Sequence, residues 1–301
     1  MGENRVLNST LELLEEKGVK EAYEYILYHK KSIPTPSSQF YNFLYCLAAL
    51  SDKEDEALDY LEESIVGRGY WYRPEVFQDE DLDSIRHTDR FRKCEDASRI
   101  RYKESFDRVN TIITWNHKSK EKILLALHGN QQNLNHSRGH WQFLGEMDYQ
   151  VEYIQSEEID SCELFRWEDE GTGPMQLKES MQKMQWDSYE KKTIGGFSAG
   201  CNVILRAILE QDISCSSIIL QSPWIPVVDN DIGGLVDKIK SKNIQVLIIC
   251  GTKDLDCLDR SKILFNELIN NGNSVKGVWV NDLGHDFPED FEEIVAEFLN
   301  F

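Results

Sequence analysis

The sequence lacks a long apolar run, since none approaches the ~18 residues that cross a bilayer. It begins without the basic and then apolar order of a secretory signal peptide. Its seven cysteines are odd in number, and no two are spaced as CxxC. This spacing disfavours both a disulfide framework and a zinc-binding motif. We therefore expect a cytoplasmic protein with reduced thiols and no membrane span.

Positive charge is also scarce, because 33 Lys and Arg residues stand against 53 Asp and Glu residues, for a net charge of −20. Acidic runs such as 79–83 and 288–293 repel phosphate groups, so nucleic acid is not an expected partner. We interpret these runs as solvated surface. The sequence has neither a phosphate-cradling glycine motif nor a metal-ligand spacing, and we expect no cofactor and no metal.

The sequence does contain a Gly-x-Ser-x-Gly pattern, Gly196-x-Ser198-x-Gly200. A short buried strand is predicted just before it, at 191–195, and a helix just after it, at 201–209. In that context the pattern predicts a nucleophile elbow, a strained turn that exposes the serine hydroxyl above the edge of a sheet. Taken alone, the pentapeptide also fits an ordinary strand–helix turn.

An acid and a histidine follow predicted strands further along the chain. Asp254 comes just after 245–250, and His285 comes just after 275–280. Because the carboxyl ends of parallel strands meet at one edge of a sheet, these side chains can lie beside the serine. The chain order Ser, Asp, His is typical of α/β-hydrolases. Asp256 is the alternative acid, and each residue also has an ordinary structural interpretation.

Residues 109–301 resemble the α/β-hydrolase superfamily, nearest its compact phospholipase/carboxylesterase type, which includes acyl-protein thioesterases. The resemblance is carried by His128-Gly129, Gly196-x-Ser198-x-Gly200, Gly251-x-x-Asp254 and Gly284-His285. It implies an α/β fold with a mainly parallel sheet and helices on both faces, as the alternation of predicted strands and helices also indicates. Polar residues follow His128-Gly129, unlike the glycine run of HGGG-type lipases.

The resemblance also implies an oxyanion hole and a substrate pocket. A backbone N–H of the loop after His128 would act with that of Ala199, the residue after the nucleophile. By position the loop donor is Asn130, with Gly129 and Gln131 as alternatives. Three aromatic residues are predicted to line the pocket, although each could equally belong to the core: Phe197, Trp167 and Trp224.

These residues predict a serine hydrolase that cleaves a carboxylic ester or thioester through an acyl-enzyme. Ser198 would be the nucleophile, His285 the general base and Asp254 the residue that orients it. Two alternatives remain: a serine peptidase of the prolyl-oligopeptidase kind, and a non-catalytic binding protein with this fold. About twenty residues, 222–242, separate two strands after the elbow, too few for an inserted cap domain.

Residues 1–104 differ, because they show helical periodicity and little strand pattern. Ala22 and Ala57 lie in similar segments 35 positions apart, close to the ~34-residue tetratricopeptide period. We predict a helical, tetratricopeptide-like domain at 1–104 and the hydrolase at 105–301. The helices would bind a protein partner, associate with a second copy, limit access to Ser198, or only cover apolar surface.

Four local predictions complete this description. The order Ser51-x-x-Glu54 is typical of a capping box that opens a helix. Residues 109–115 alternate like a strand, residues 117–120 form a turn, and residues 157–173 form a polar loop.

Overall fold

The computed structural model describes residues 2–106, 112–114 and 121–300. For residues 112–114 it describes the backbone only. The chain divides into two compact units. The first comprises Met1–Val109 with Ile159–Leu164, and the second comprises Asn110–Glu158 with Phe165–Phe301. Each unit has apolar core residues of its own.

The first unit is built from helices, as predicted for the amino-terminal region. Its apolar core is lined by aromatic side chains, among them Tyr23, Phe40 and Phe91, which are fully buried. Ala22 and Ala57, aligned by the internal repeat, are both buried on their helices, but the tetratricopeptide resemblance stays a prediction. The helices are α1 Glu3–Lys17, α2 Val19–Lys30, α3 Ser38–Leu50, α4 Glu54–Glu62, α5 Asp83–Arg86 and α6 Asp89–Ser105, with a π turn at Glu63–Gly67 and 3-10 turns at Pro74–Gln78 and Glu80–Leu82.

The predicted capping box in this unit is wrong. Ser51 ends α3 instead of opening α4, whose first flanking residue is Lys53 without a side-chain cap. The chain turns at Asp52, which has a left-handed backbone with φ of 57°. The amide of Lys53 bonds back to the carbonyl of Ala48 at 3.0 Å, so the turn closes the preceding helix.

The second unit contains a seven-stranded sheet in its described residues, in the order β1-β3-β2-β6-β7-β8-β9. β1 pairs with β3 antiparallel, and all the other neighbouring pairs are parallel. The predicted mainly parallel α/β-hydrolase fold is confirmed. The strands of this sheet are β1 Ile112–Thr114, β2 Lys122–Leu127, β3 Tyr149–Ile154, β6 Lys191–Phe197, β7 Ser217–Gln221, β8 Gln245–Gly251 and β9 Val275–Val280.

Helices cover both faces of this sheet because its central strands are apolar on both sides. In β2, Ile123 and Leu125 join one core cluster, whereas Leu124 and Ala126 join the other. The first cluster takes in α8 to α11, and the second takes in α7 and α12. These helices are α7 Leu134–Trp141, α8 Thr172–Lys183, α9 Ala199–Glu210, α10 Val227–Ser241, α11 Leu255–Asn270 and α12 Phe291–Leu299, with 3-10 turns at Gln142–Gly145 and Trp186–Ser188.

The predicted polar loop at 157–173 is wrong in its first half. Residues β4 Glu158–Ser161 and β5 Leu164–Arg166 form a two-stranded sheet. The segment Ile159–Leu164, which contains most of β4 and the first residue of β5, belongs to the first unit. There the amide of Arg73 donates to the carbonyl of Asp160 at 3.1 Å, and the amide of Cys162 donates to the carbonyl of Trp71 at 2.9 Å. Of the strand predicted at 109–115 the structure describes 112–114, and the turn predicted at 117–120 lies outside the described residues.

Among the described residues, no helix has the length and apolarity needed to cross a bilayer.

Candidate active site

Ser198 stands at the strained turn between β6 and α9. Its backbone has φ of 52° and ψ of −123°, a conformation that a residue with a side chain rarely adopts. The amide of Ser198 donates to the carbonyl of Gln221 at 3.0 Å, which ties the turn to the next strand. A Cβ on Gly200 would lie 2.5 Å from the carbonyl oxygen of His128, so the helix can start here only with a glycine. This local geometry is the one that the predicted nucleophile elbow requires, and the role of Ser198 stays a prediction.

Asp254 and His285 are brought together at the ends of β8 and β9. Nδ1 of His285 lies 2.9 Å from Oδ2 of Asp254, which is 3% exposed. Although Asp254 is the first flanking residue of α11, its side chain does not cap that helix. Asp256, the alternative acid, lies in the first turn of α11 and is exposed. The geometry therefore pairs the histidine with Asp254.

The loop that carries His285 is held by contacts to two neighbouring strand ends. The amide of Lys253 donates to the carbonyl of Leu283 at 2.9 Å. From β7, Nε2 of the fully buried Gln221 donates to the carbonyl of Asp286 at 2.8 Å. Sequence reasoning assigned no role to Gln221, although a polar residue that ends an apolar strand is a readable signal.

Phe197 joins the histidine to the elbow. Its ring centroid lies 4.9 Å from that of His285 and 4.8 Å from that of Phe287, on which it stacks. Because Phe197 precedes Ser198 directly, this contact places the imidazole beside the elbow. Phe197 is itself buried, so it supports the histidine as well as remaining a predicted pocket residue.

His128 braces the loop after β2 from within. Burial lowers the pKa of its imidazole to about 4, so the ring is neutral near pH 7. Nε2 accepts the amide of Ser156 at 3.1 Å, which leaves Nδ1 to donate to the carbonyl of Gly129 at 2.7 Å. The indole Nε1 of Trp167 donates to the carbonyl of His128 at 2.8 Å. These hydrogen bonds tie the loop to the ends of β2 and β3 and to Trp167.

The three alternatives for the loop donor of the oxyanion hole differ in their bonding. The amide of Gly129 already donates to Oε1 of Gln132 at 3.0 Å, so it is committed. The amides of Asn130 and Ala199 have no acceptor among the described residues. Gln131 has a left-handed backbone with φ of 56°. A Cβ on Gly129 would lie 3.0 Å from Cβ of Ser198, so this loop adjoins the elbow.

The predicted pocket aromatics occupy different environments. Trp167 is 4% exposed, packs in the core and bonds through its amide to Oδ1 of Asn130 at 2.8 Å. Trp224 is 37% exposed and follows β7. Leu255, which sequence reasoning missed, is 75% exposed directly after Asp254. Trp224 and Leu255 thus follow adjacent strands as exposed apolar side chains.

Two groups among the described residues could offer ligand atoms to a metal ion. Asp254, Cys257 and His285 bring such atoms within 4.8 Å of one another. The hydrogen bond between the acid and the histidine already accounts for most of that proximity. The second group lies in the first unit and consists of Cys46, Asp79 and Asp81.

Comparison with known proteins places the chain in a family. The family model for the A/B hydrolase-like N-terminal domain matches residues 2–106. An uncharacterized protein from Bacillus cereus ATCC 10987 is 32% identical over 100% of this chain and 98% of its own, with a TM-score of 0.58. The Bacillus cereus carboxylesterase is 17% identical over 65% of this chain and 97% of its own, with a TM-score of 0.51. No curated protein sequence matches.

The fold and the matches define the class: the chain belongs to the α/β-hydrolases. Within that class, it is a member that carries the A/B hydrolase-like N-terminal domain. The likeness to the carboxylesterase, at 17% identity, concerns the fold alone.

Proposed function

We propose that the protein is a serine hydrolase that cleaves a carboxylic ester or thioester by way of an acyl-enzyme. The observation that carries the proposal is the 2.9 Å bond between His285 and the buried Asp254, beside the strained elbow at Ser198. A strained serine, an oriented histidine and a buried acid are the parts that nucleophilic acyl transfer needs.

The geometry supports different roles for the two imidazole nitrogens of His285. Nδ1 of His285 is engaged by Asp254, so Nε2 is left to accept the proton of Ser198. The serine oxygen then bonds to the acyl carbon, and the carbonyl electrons move to its oxygen. The amides of Asn130 and Ala199 would donate to that oxyanion.

Collapse of the tetrahedral intermediate breaks the bond to the leaving alcohol or thiol, which takes the proton from His285. Water then attacks the acyl-enzyme, giving its proton to the same nitrogen, and the acid product leaves as Ser198 regains its proton. Each step uses groups that the fold brings to the carboxyl edge of the sheet. No co-reactant besides water is required.

Labelling with a fluorophosphonate tests the nucleophile. We expect the wild-type protein to be labelled on the peptide that contains Ser198, and Ser198→Ala to lose both labelling and about 10⁴-fold or more of ester turnover. Ser241→Ala, which changes an exposed serine at the end of α10, is the matched control and should behave as wild type. Turnover that survives in Ser198→Ala would contradict the proposal.

A substrate panel then separates the remaining alternatives. Nitrophenyl esters of graded chain length, an acyl thioester and a peptide substrate are compared by kcat/KM. The proposal expects the esters or the thioester to exceed the peptide. Peptide hydrolysis in excess would favour the peptidase, and a folded protein that neither turns over substrate nor reacts with the fluorophosphonate would favour a binding protein.

A further inference from the structure

Two buried thiols flank the carboxylate of Asp254. Sγ of Cys250, at the end of β8, lies 3.8 Å from Oδ2 of Asp254. Sγ of Cys257, three residues into the following helix, lies 3.6 Å from Nδ1 of His285 and within 4.8 Å of a ligand oxygen of Asp254. Both cysteines are at most 1% exposed. The acid and the histidine therefore meet in a thiol-lined site.

Both thiols keep their protons near pH 7. Burial, followed by the negative charge of Asp254, raises the pKa of Cys250 to about 12 and raises the pKa of Cys257 further above its usual range. In the tautomer that the mechanism requires, Nδ1 of His285 donates its own proton to Asp254 and cannot accept another. The carboxylate is therefore the acceptor open to the S–H of Cys257, whereas the S–H of Cys250 has both the carboxylate at 3.8 Å and the carbonyl of Gly251 at 3.7 Å as acceptors.

The thiols are a large part of the hydrogen bonding of the Asp254 carboxylate. Among the described residues, the side-chain oxygens of Asp254 bond to His285 and to the thiols, and the side chain takes no amide of α11. A thiol is a weak donor. It satisfies the buried oxygens without withdrawing as much charge as a backbone amide or hydroxyl would.

We propose that Cys250 and Cys257 are positioning residues that donate to Asp254 and set how strongly its carboxylate holds the Nδ1 proton of His285. The proposal rests on the proposed function, because it deepens the role of the same acid and base. It predicts that the strength of the Asp254–His285 bond follows the strength of the donors beside it.

Proton NMR of the full-length protein reads that bond directly. The Nδ1 proton of a histidine bonded to a carboxylate moves downfield as the bond strengthens, and its signal is assigned by its loss in His285→Gln. Cys257→Ala removes a competing donor and should move the signal downfield. Cys257→Ser supplies a stronger donor and should move it upfield, and Cys250→Ser repeats the test from the other side.

Kinetics give the second readout. A positioning role predicts that Cys257→Ala changes kcat by about threefold at nearly constant KM. Cys257→Ser should change kcat in the opposite direction. The matched control is Cys215→Ala, since Cys215 is also buried and no carboxylate is among the causes of its raised pKa. It should leave the proton signal and kcat unchanged.

The two proposals fail differently. Signals that stay in place, or that move in the same direction in Cys257→Ala and Cys257→Ser, would overturn the role of the thiols. Turnover that persists in Ser198→Ala would overturn the proposed function, whereas the NMR signal reports on Asp254 and His285 whatever the substrate is.

Discussion

Two carboxyl groups that stand two positions apart in the sequence have opposite environments. Asp254 is 3% exposed and bonds to His285, whereas Asp256 is exposed on the first turn of α11. An acid at that second position interacts favourably with the helix dipole and with water. The difference between the two residues therefore lies in contact with the imidazole.

This difference predicts unequal effects of the same amide substitution. Asp254→Asn should lower kcat for a nitrophenyl ester by about 10⁴-fold, because an amide at that position favours the wrong histidine tautomer. Asp256→Asn should stay within about twofold of wild type, as expected for an exposed group. A crippled Asp256→Asn beside an active Asp254→Asn would reverse the assignment.

Gly251 controls the loop that carries His285. A Cβ at this position would lie 2.0 Å from the carbonyl oxygen of Leu283, and backbone atoms cannot yield as a flexible side chain can. We expect Gly251→Ala to displace the loop, to cost about 2 kcal/mol of unfolding free energy and to lower kcat by about 10²-fold. Urea unfolding and ester turnover measure the two effects.

Gly233 offers a matched control, because it lies in α10 and a Cβ added there would have no neighbouring atom within 4 Å. Gly233→Ala should be as stable as wild type or more stable, since alanine is the better helix former. Equal unfolding free energies and equal kcat values for Gly251→Ala and Gly233→Ala would show that the close approach of Leu283 to Gly251 does not determine the position of the loop.

At the scale of elements, the β4–β5 hairpin illustrates what local patterns miss. Its strands are only four and three residues long, which is too short for a clear alternation of apolar and polar residues. Ile159 and Leu164 are nevertheless buried. The segment is ordered by bonding to residues of the first unit that are far away in the sequence, such as Cys162 N–H to the carbonyl of Trp71 at 2.9 Å.

An ion pair within the first unit tests this account. Nε of Arg73 lies 3.0 Å from Oδ1 of Asp160, whose side chain is 8% exposed. Arg73→Ala would leave a buried carboxylate without its cation, and we expect a loss of about 2 kcal/mol in unfolding free energy by urea titration. Arg73→Ala combined with Asp160→Asn should recover part of that loss, because the unpaired charge is removed.

The control for this pair is Arg92→Ala. Arg92 lies 3.4 Å from Asp89, and both side chains are largely exposed. Exposed ion pairs contribute little to stability, so the loss in unfolding free energy should stay below about 0.5 kcal/mol. If Arg73→Ala were as mild as Arg92→Ala, the hairpin would not depend on the ion pair.

At the scale of the whole molecule, the buried His128 and two half-buried histidines connect stability to pH. Burial lowers the pKa of His128 to about 4, and it lowers the pKa values of His136 and His140 as well. Because the unfolded chain binds these protons more readily, the stabilisation is fully present above about pH 6.5. It is lost as the pH falls towards the folded value.

For His128 the expected loss is about 3 kcal/mol between pH 6.5 and pH 4. His128→Gln should be less stable at pH 7, since its bonds to Gly129 and Ser156 are changed, but its unfolding free energy should fall less steeply with pH. Urea titrations at half-unit intervals give both curves. A variant curve parallel to that of the wild type would show that His128 does not carry the dependence.

The sequence by itself determined the alternation of apolar strands and helices, and with it the parallel sheet. Continuous apolar runs such as β2 and β8 can be buried on both faces of a sheet. The order of these runs and of the helical segments along the chain therefore selects the layered fold. The elbow is local at Gly196, where an added Cβ would meet the backbone of Gly200 and Cys201. Apart from the approach of the His128 carbonyl to Gly200, these features depend on neighbours along the chain.

Only the tertiary structure decided which groups meet. The pairing of His285 with Asp254 and not Asp256, and the approach of Cys257 to His285, depend on distances between segments that follow separate strands. The segment Ile159–Leu164 of the β4–β5 hairpin depends on residues much earlier in the chain, such as Ser38 and Trp71. Local propensity cannot specify such contacts, because burial and hydrogen bonding between distant segments arise only when the chain is folded.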